Sequence, residues 1–253
     1  LAGGKTPLLI ASLEALCLRT MPPDLLRAAT ATLRPGDSFP LPELTARLER
    51  AGYSRCALVE GPGQYALRGG ILDVFSPAHD HPLRMEFFGD DLDAMGFFDP
   101  LTQRRTENAG EAVLLPMAET QPGLHPDGLS GLCQDISALI ARQKRRKHRN
   151  EPLLQTLERD RELLENGASL PAADRYLSLI YPQGATAVSY IPENALVIFC
   201  DHGSLLRAAK QRQETLAMEL DGMLESGLLV GELCDFSAEY EDLFDHLPGP
   251  SDI

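Results

Sequence analysis

The sequence predicts an α/β protein in which a small α+β domain with an antiparallel sheet is set into a larger, more helical domain. Two strand-like runs, Gln64–Phe75 and Leu83–Phe88, flank Ser76-Pro77 and a His/Asp/Pro loop, the pattern of a hairpin-like antiparallel pair. Four stretches, 41–51, 129–140, 153–164 and 205–224, carry apolar residues at helical spacing. The 253 residues, 43% of them hydrophobic, suit two modest domains or one domain with another inserted.

Taken in order, Leu8–Leu18 is apolar and Met21-Pro22-Pro23 ends it. In 41–51, Leu41, Leu44, Leu48 and Ala51 share a face, Pro42 sits where a first helical turn accepts it, and Gly52 terminates the helix. Residues 56–60 read as a first short strand and Gly61-Pro62-Gly63 as a turn. Asp90, Asp91, Asp93 and Asp99 read as solvated turns, Thr102–Arg105 as a further turn, and Ala112–Leu115 as a strand that Pro116 closes. Asn166-Gly167 stops the helix at 153–164. Ala195–Cys200 is a continuous β-favouring run suited to a buried strand, and Asp201-His202 suits the cap of the long helix that ends at Gly227. An acidic tail follows from Asp235, with a short element or linker near Tyr240–Leu247.

The run Leu83–Phe88 is the most informative. Strand alternation sends Leu83, Met85 and Phe87 to one face and Arg84, Glu86 and Phe88 to the other. A large aromatic beside an arginine and a carboxylate is the composition of a protein-binding hot spot. The alternative is that Gly89 turns Phe88 inward at the strand end. Arg68 closes the Tyr65/Leu67 alternation just before Gly69-Gly70, where a bulge can re-aim it. Arg55, in Tyr53-Ser54-Arg55, is either a further contact or a solvated arginine opening a strand.

Composition excludes several other functions. Lys+Arg 23 against Asp+Glu 37 gives a net charge of -14, which repels a phosphate backbone at long range. The concentrated basic run, Lys144–Arg149, has no interleaved aromatics and acidic neighbours, so a solvated helix face is favoured over a nucleic-acid site. No apolar run approaches the ~20 residues a bilayer requires, so a membrane is not an expected partner and the cytoplasm is the expected location. Gly4-Lys5-Thr6 is followed by the apolar run Pro7–Ile10 rather than by a helix, and the first glycine of a phosphate-binding loop would fall before Leu1, so a nucleotide site is disfavoured. The Asp90–Asp99 group lacks calcium-loop spacing, and His79, Asp80 and His81 lack a third ligand. Cys17, Cys56, Cys133, Cys200 and Cys234 show no metal or redox pairing and read as small buried hydrophobes. No catalytic, cofactor or metal residue is therefore assigned.

The segments YALRGGILDVFSP, PLRMEFFGDDLDAMGFFDPLTQRR and AVLLPMAE together resemble domain 2 of the UvrB-homology module at the N-terminus of bacterial transcription-repair coupling factors. DRYLSLIYPQGATAVSYIPENALVIFCD is similar to the part of that module beyond domain 2. The resemblance implies a degenerate helicase-like, P-loop NTPase-like domain carrying the small α+β domain as an insertion. Residues 1–29 would be the end of domain 1a, 30–117 domain 2, 118–236 domain 1b, and 237–253 a linker or the start of another element.

The resemblance further implies a non-catalytic platform for the excinuclease component UvrA, with RNA polymerase and DNA engaged through other domains of the full-length protein. Its implied contacts are Arg68, Arg84, Phe88, Glu86 and Arg55. Alanine at Arg84 or Phe88 is expected to weaken partner binding and leave folding little changed. Ala66, where the related excinuclease component UvrB carries an arginine, separates this chain from UvrB, which stays the second reading. A nucleic-acid module built on the basic run is the third.

Overall fold

The computed structural model describes residues 8–147, 150–226 and 228–246, with side chains described to residue 243. Along the chain come α1 (Leu13–Cys17), β1 (Arg19–Thr20), α2 (Pro23–Ala29), β2 (Ala31–Leu33), α3 (Leu41–Arg50), β3 (Ser54–Arg55) and β4 (Gln64–Arg68). Then follow β5 (Ile71–Val74), β6 (Leu83–Phe88), β7 (Asp91–Phe98), β8 (Arg105–Asn108) and β9 (Ala112–Leu114). The rest is α4 (Gly128–Arg145), α5 (Glu151–Glu165), α6 (Leu177–Ile180), β10 (Ala185–Thr186), α7 (His202–Glu225) and α8 (Tyr240–His246). The fold is mixed α/β. It divides into two compact units, one of residues 24–123 and one of residues 1–23 with 124–253.

The 24–123 unit is organised by a six-stranded sheet of order β3-β4-β5-β6-β7-β8, antiparallel throughout except for the parallel β3–β4 pair. One sheet face carries Tyr65, Leu72, Val74, Leu83, Met85 and Met95, all buried, in one core with Leu44 and Leu48 of α3 and Leu33, Ala112 and Leu114 of the β2–β9 pair. Helix α3 forms as its spacing predicts: its apolar stripe meets this face, and Gly52 at φ +89° supplies the left-handed terminus. Tyr65 spans the layer and donates its hydroxyl to Glu49 at 2.5 Å; burial and that carboxylate push its pKa up to about 12.

Three local expectations need correction. Gln64–Phe75 is not one strand but the hairpin β4–β5, because Gly69 takes φ +62° and a side chain at Gly70 would meet the Phe87 carbonyl at 2.5 Å. Of the acidic group after Phe88, Asp90 and Asp99 lie in turns as expected, but Asp91 and Asp93 are exposed residues of β7, because Leu92 and Met95 of that strand pack into the core. The strand expected at 56–60 is instead β3, Ser54–Arg55; the break expected at Met21-Pro22-Pro23 is present, with α2 starting at its end.

In the other unit, α4 and α5 pack together and bury Leu132, Ile136, Leu139, Leu153, Leu154 and Leu157. Asp160 of α5 is buried and accepts the Tyr176 hydroxyl at 2.9 Å and Arg175 Nη1 at 2.7 Å, a satisfied polar link. Leu13 and Cys17 of α1 share a small core with Val188, Ala209 of α7 and Leu243 of α8. Asp201 caps α7 as expected, accepting from the Ser204 amide at 3.1 Å.

The expected buried strand at Ala195–Cys200 is not formed: Leu196 and Ile198 are each 73% exposed and pair with no strand. The apolar stretch 8–12 is in no element, and Leu8 and Ile10 are 88% and 86% exposed. Cys17 is buried, but Cys200 is exposed, against the expectation for all five cysteines. Among the described residues no helix is long and apolar enough to cross a membrane. Gly4-Lys5-Thr6 lies outside the described residues.

His79 ties the β5–β6 loop to β9 by accepting the Val113 amide on Nε2 at 3.0 Å, with its ring edge-on to Phe97. An accepting Nε2 must be unprotonated, and burial lowers the pKa below the usual 6.5. A histidine depressed in the folded state contributes stability that is present above the unfolded value and lost as pH falls below about 6.5. Denaturant titrations should show His79→Gln losing less stability than the wild type between pH 7.5 and pH 5.5.

Candidate functional site

The face of the sheet opposite the α3 layer holds the candidate residues. Register places Ala66, Asp73, Arg84 and Gly96 in one row across β4, β5, β6 and β7, and Arg68, Ile71, Glu86 and Ala94 in the next. Phe88, at the end of β6, stands opposite Asp91. The alternation expected for Leu83–Phe88 is therefore realised: Arg84, Glu86 and Phe88 lie on the face away from Leu83, Met85 and Phe87.

Asp73 is the hub of this face, although no role is assigned to it from sequence. Its side chain is fully buried, and its carboxylate receives Arg84 Nε at 2.7 Å, Arg84 Nη2 at 2.9 Å and Arg68 Nη2 at 2.6 Å. The Arg84 contact is bidentate, the geometry that matches a planar guanidinium to a carboxylate. Arg84 also donates Nη1 to the Gln103 carbonyl at 3.2 Å, and its guanidinium carbon lies 4.6 Å from the centroid of the buried Phe98 ring. The Asp73 hydrogen bonds are the largest influence on Arg84 and raise its pKa further above the arginine range. The signal for Asp73 was present: one acid inside the apolar run Ile71–Phe75 has to find a cation when the strand is buried.

The remaining candidates differ in role. Arg68 is about half exposed, 45% of its side chain, and adds a long 3.4 Å bond to the Ala57 carbonyl. Glu86 is 44% exposed and accepts Arg105 Nη1 at 3.0 Å. Phe88 is 86% exposed, so Gly89 does not turn it inward. Arg55 pairs in register with Tyr65, which puts it in the alternation of the α3-facing side, apart from the other four. The structure thus groups Arg68, Arg84, Glu86 and Phe88 and leaves Arg55 on a different face of the same sheet.

In the basic run elsewhere, Lys144 meets Glu158 at 2.6 Å, while Arg145, Arg146 and Lys147 are exposed; Arg142, just before the run, meets Glu232 at 3.0 Å. His148 and Arg149 lie outside the described residues. Among the described residues no group of three or more His, Cys, Asp or Glu side chains is placed to hold a metal ion.

Comparison with known proteins bears on the same segment. Residues 31–119 match the family described as the UvrB interaction domain. Over 92% of its length the chain is 26% identical to the transcription-repair-coupling factor of Bacillus subtilis, of which it spans 20%. It is 40% identical to that of Myxococcus xanthus over 46% of the chain and 10% of the relative, and 29% identical to that of Mycobacterium tuberculosis over 73% and 14%. The chain therefore spans between a tenth and a fifth of the length of these curated relatives.

The geometry corrects one expectation about substitution. Removing Arg84 strips a buried carboxylate of its bidentate partner, so Arg84→Ala should cost about 3 kcal/mol of stability rather than leave folding unchanged. Phe88→Ala should change stability by less than about 0.5 kcal/mol, because the ring is already in solvent. Urea denaturation of the two variants beside the wild type checks both.

Proposed function

We propose that this protein, the N-terminal module of a transcription-repair coupling factor by the family match at residues 31–119 and the relatives along most of the chain, is a non-catalytic docking platform for UvrA. The observation that carries the reading is Phe88. It projects from the end of β6 at 86% exposure, on the sheet face that also carries two arginines held by a buried acid. Covering a phenylalanine from solvent contributes about 1.5–3 kcal/mol, and little ordering cost offsets that gain when the strand beneath is rigid. Anchors of this kind, an aromatic and arginines at the centre of a patch, dominate protein interfaces.

Arg68 and Phe88 are the direct contacts in this reading. Arg84 acts largely through the sheet, since most of its donors are already engaged. Arg55 is a peripheral contact at most, because its register sends it to the other face. The grouping of residues 1–23 with 124–253 as one unit supports an inserted domain with boundaries near 30 and 117. The flanking unit is a degenerate helicase-like domain in this reading. In the full-length protein, RNA polymerase and DNA are engaged by other domains, and the module delivers UvrA to a stalled polymerase in the cytoplasm.

Calorimetric titration of UvrA with this chain is the direct test. Phe88→Ala should weaken binding by about 30-fold, the equivalent of about 2 kcal/mol, at unchanged thermal stability. Absence of binding by a folded wild type would sink the platform reading and turn attention to a salt-dependent DNA titration of the basic run.

A further inference from the structure

The strand β8 brings a third guanidinium to the same face. Arg105 is its first residue, and in the sequence it reads only as the end of a turn. Its side chain lies across Gly96 of β7: a Cβ at that glycine would come within 2.3 Å of Arg105 Nε and 2.9 Å of the guanidinium carbon. The missing side chain at position 96 is what lets an arginine lie flat on the sheet there. Arg105 Nη2 donates to the Met95 carbonyl at 2.5 Å and Nη1 to Glu86 at 3.0 Å.

Arg105 is continuous with the other two arginines. Gly96 stands directly opposite Arg84 in the β6–β7 register, and Arg84 itself holds the carbonyl of Gln103, two residues before Arg105. The guanidinium groups of Arg68, Arg84 and Arg105 thus run across the sheet beside two carboxylates, Asp73 and Glu86, in a chain whose net charge is -14. Asp73 is buried and matched by two cations, so it offers nothing to a partner. Arg105 is about one-third exposed and commits two of its five N–H donors, which leaves it donors for an incoming carboxylate.

We propose that Arg105 is a direct docking residue for an acidic side chain of UvrA, and that Glu86 is its positioning residue rather than itself a contact. The proposal rests on the platform reading. An exposed arginine ordinarily loses rotamer freedom when it binds; Glu86, the Met95 carbonyl and the bare backbone of Gly96 impose that order beforehand. The partner chemistry that fits is a carboxylate next to an apolar recess, the first for Arg105 and the second for Phe88.

The test is calorimetry of UvrA against the wild type, Arg105→Gln, Glu86→Gln, the double variant and Phe88→Ala, with thermal midpoints measured on each. Arg105→Gln should bind about tenfold more weakly than the wild type, at a midpoint close to the wild type. Glu86→Gln should weaken binding in the wild-type background and have no further effect in the Arg105→Gln background, which a merely structural role would not produce. Arg105→Lys should not restore affinity, because an ammonium cannot reproduce the fork that reaches both holders. If Phe88→Ala loses binding while Arg105→Gln does not, the platform stands and this proposal falls. If the Glu86→Gln effect persists undiminished in the double variant, Glu86 touches the partner itself and its positioning role is overturned. A folded wild type that fails to bind overturns the platform reading and this inference with it.

Discussion

A single buried carboxylate organises the candidate face. Asp73 sits in the middle of a core strand with no exposure to water, a position an acid occupies only when cations reach it. Arg84 comes from β6 and Arg68 from β4, one from each neighbouring strand, so the carboxylate draws three adjacent strands together across the sheet. The arginines are fixed as a consequence. A surface that needs pre-ordered guanidinium groups obtains them here from the demands of the core.

That coupling divides buried from exposed roles along one strand. Within the alternation Arg84, Glu86, Phe88 the environment passes from half-buried to exposed over a few residues. Arg84 serves the interior, against Asp73 and the Phe98 ring, while Phe88 has no part in the interior at all. Glu86 stands between them and holds a cation from the far edge of the sheet. Residues that form one motif in the sequence therefore carry different physical loads, and a variant at one does not report on the others.

The flanking unit shows a different relation between pattern and structure. Its helices form where apolar spacing and caps place them: α4 and α5 over the expected stripes, and α7 from the Asp201 cap. The β-favouring run at 195–200 is not in a sheet, and its Leu196 and Ile198 face solvent. A strand has no internal hydrogen bonds and forms only beside another strand, whereas a helix satisfies its backbone from within. Apolar periodicity thus suffices to place α5 but not to place Ala195–Cys200.

The mixed α/β character, the four longest helices and the alternation of Leu83–Phe88 were legible in the order of residues alone. So, through resemblance to the coupling-factor module, was the segment in which the candidate surface lies. All of these follow from local information: spacing, turn residues and chain order. It took the folded chain to reveal that Asp73 is the hub, that Arg105 lies over Gly96 beside Arg84, that Arg55 belongs to the other face, and that Phe88 points outward. The first three depend on which residue of one strand stands opposite which residue of the next, and the last on how the strand ends at Gly89. Such pairings join positions from 5 to 19 apart in the chain, as Arg68 with Asp73 and Arg105 with Glu86. A strand's own sequence reports its two faces but not its neighbour's register, so the charges could be read one by one but not as a network.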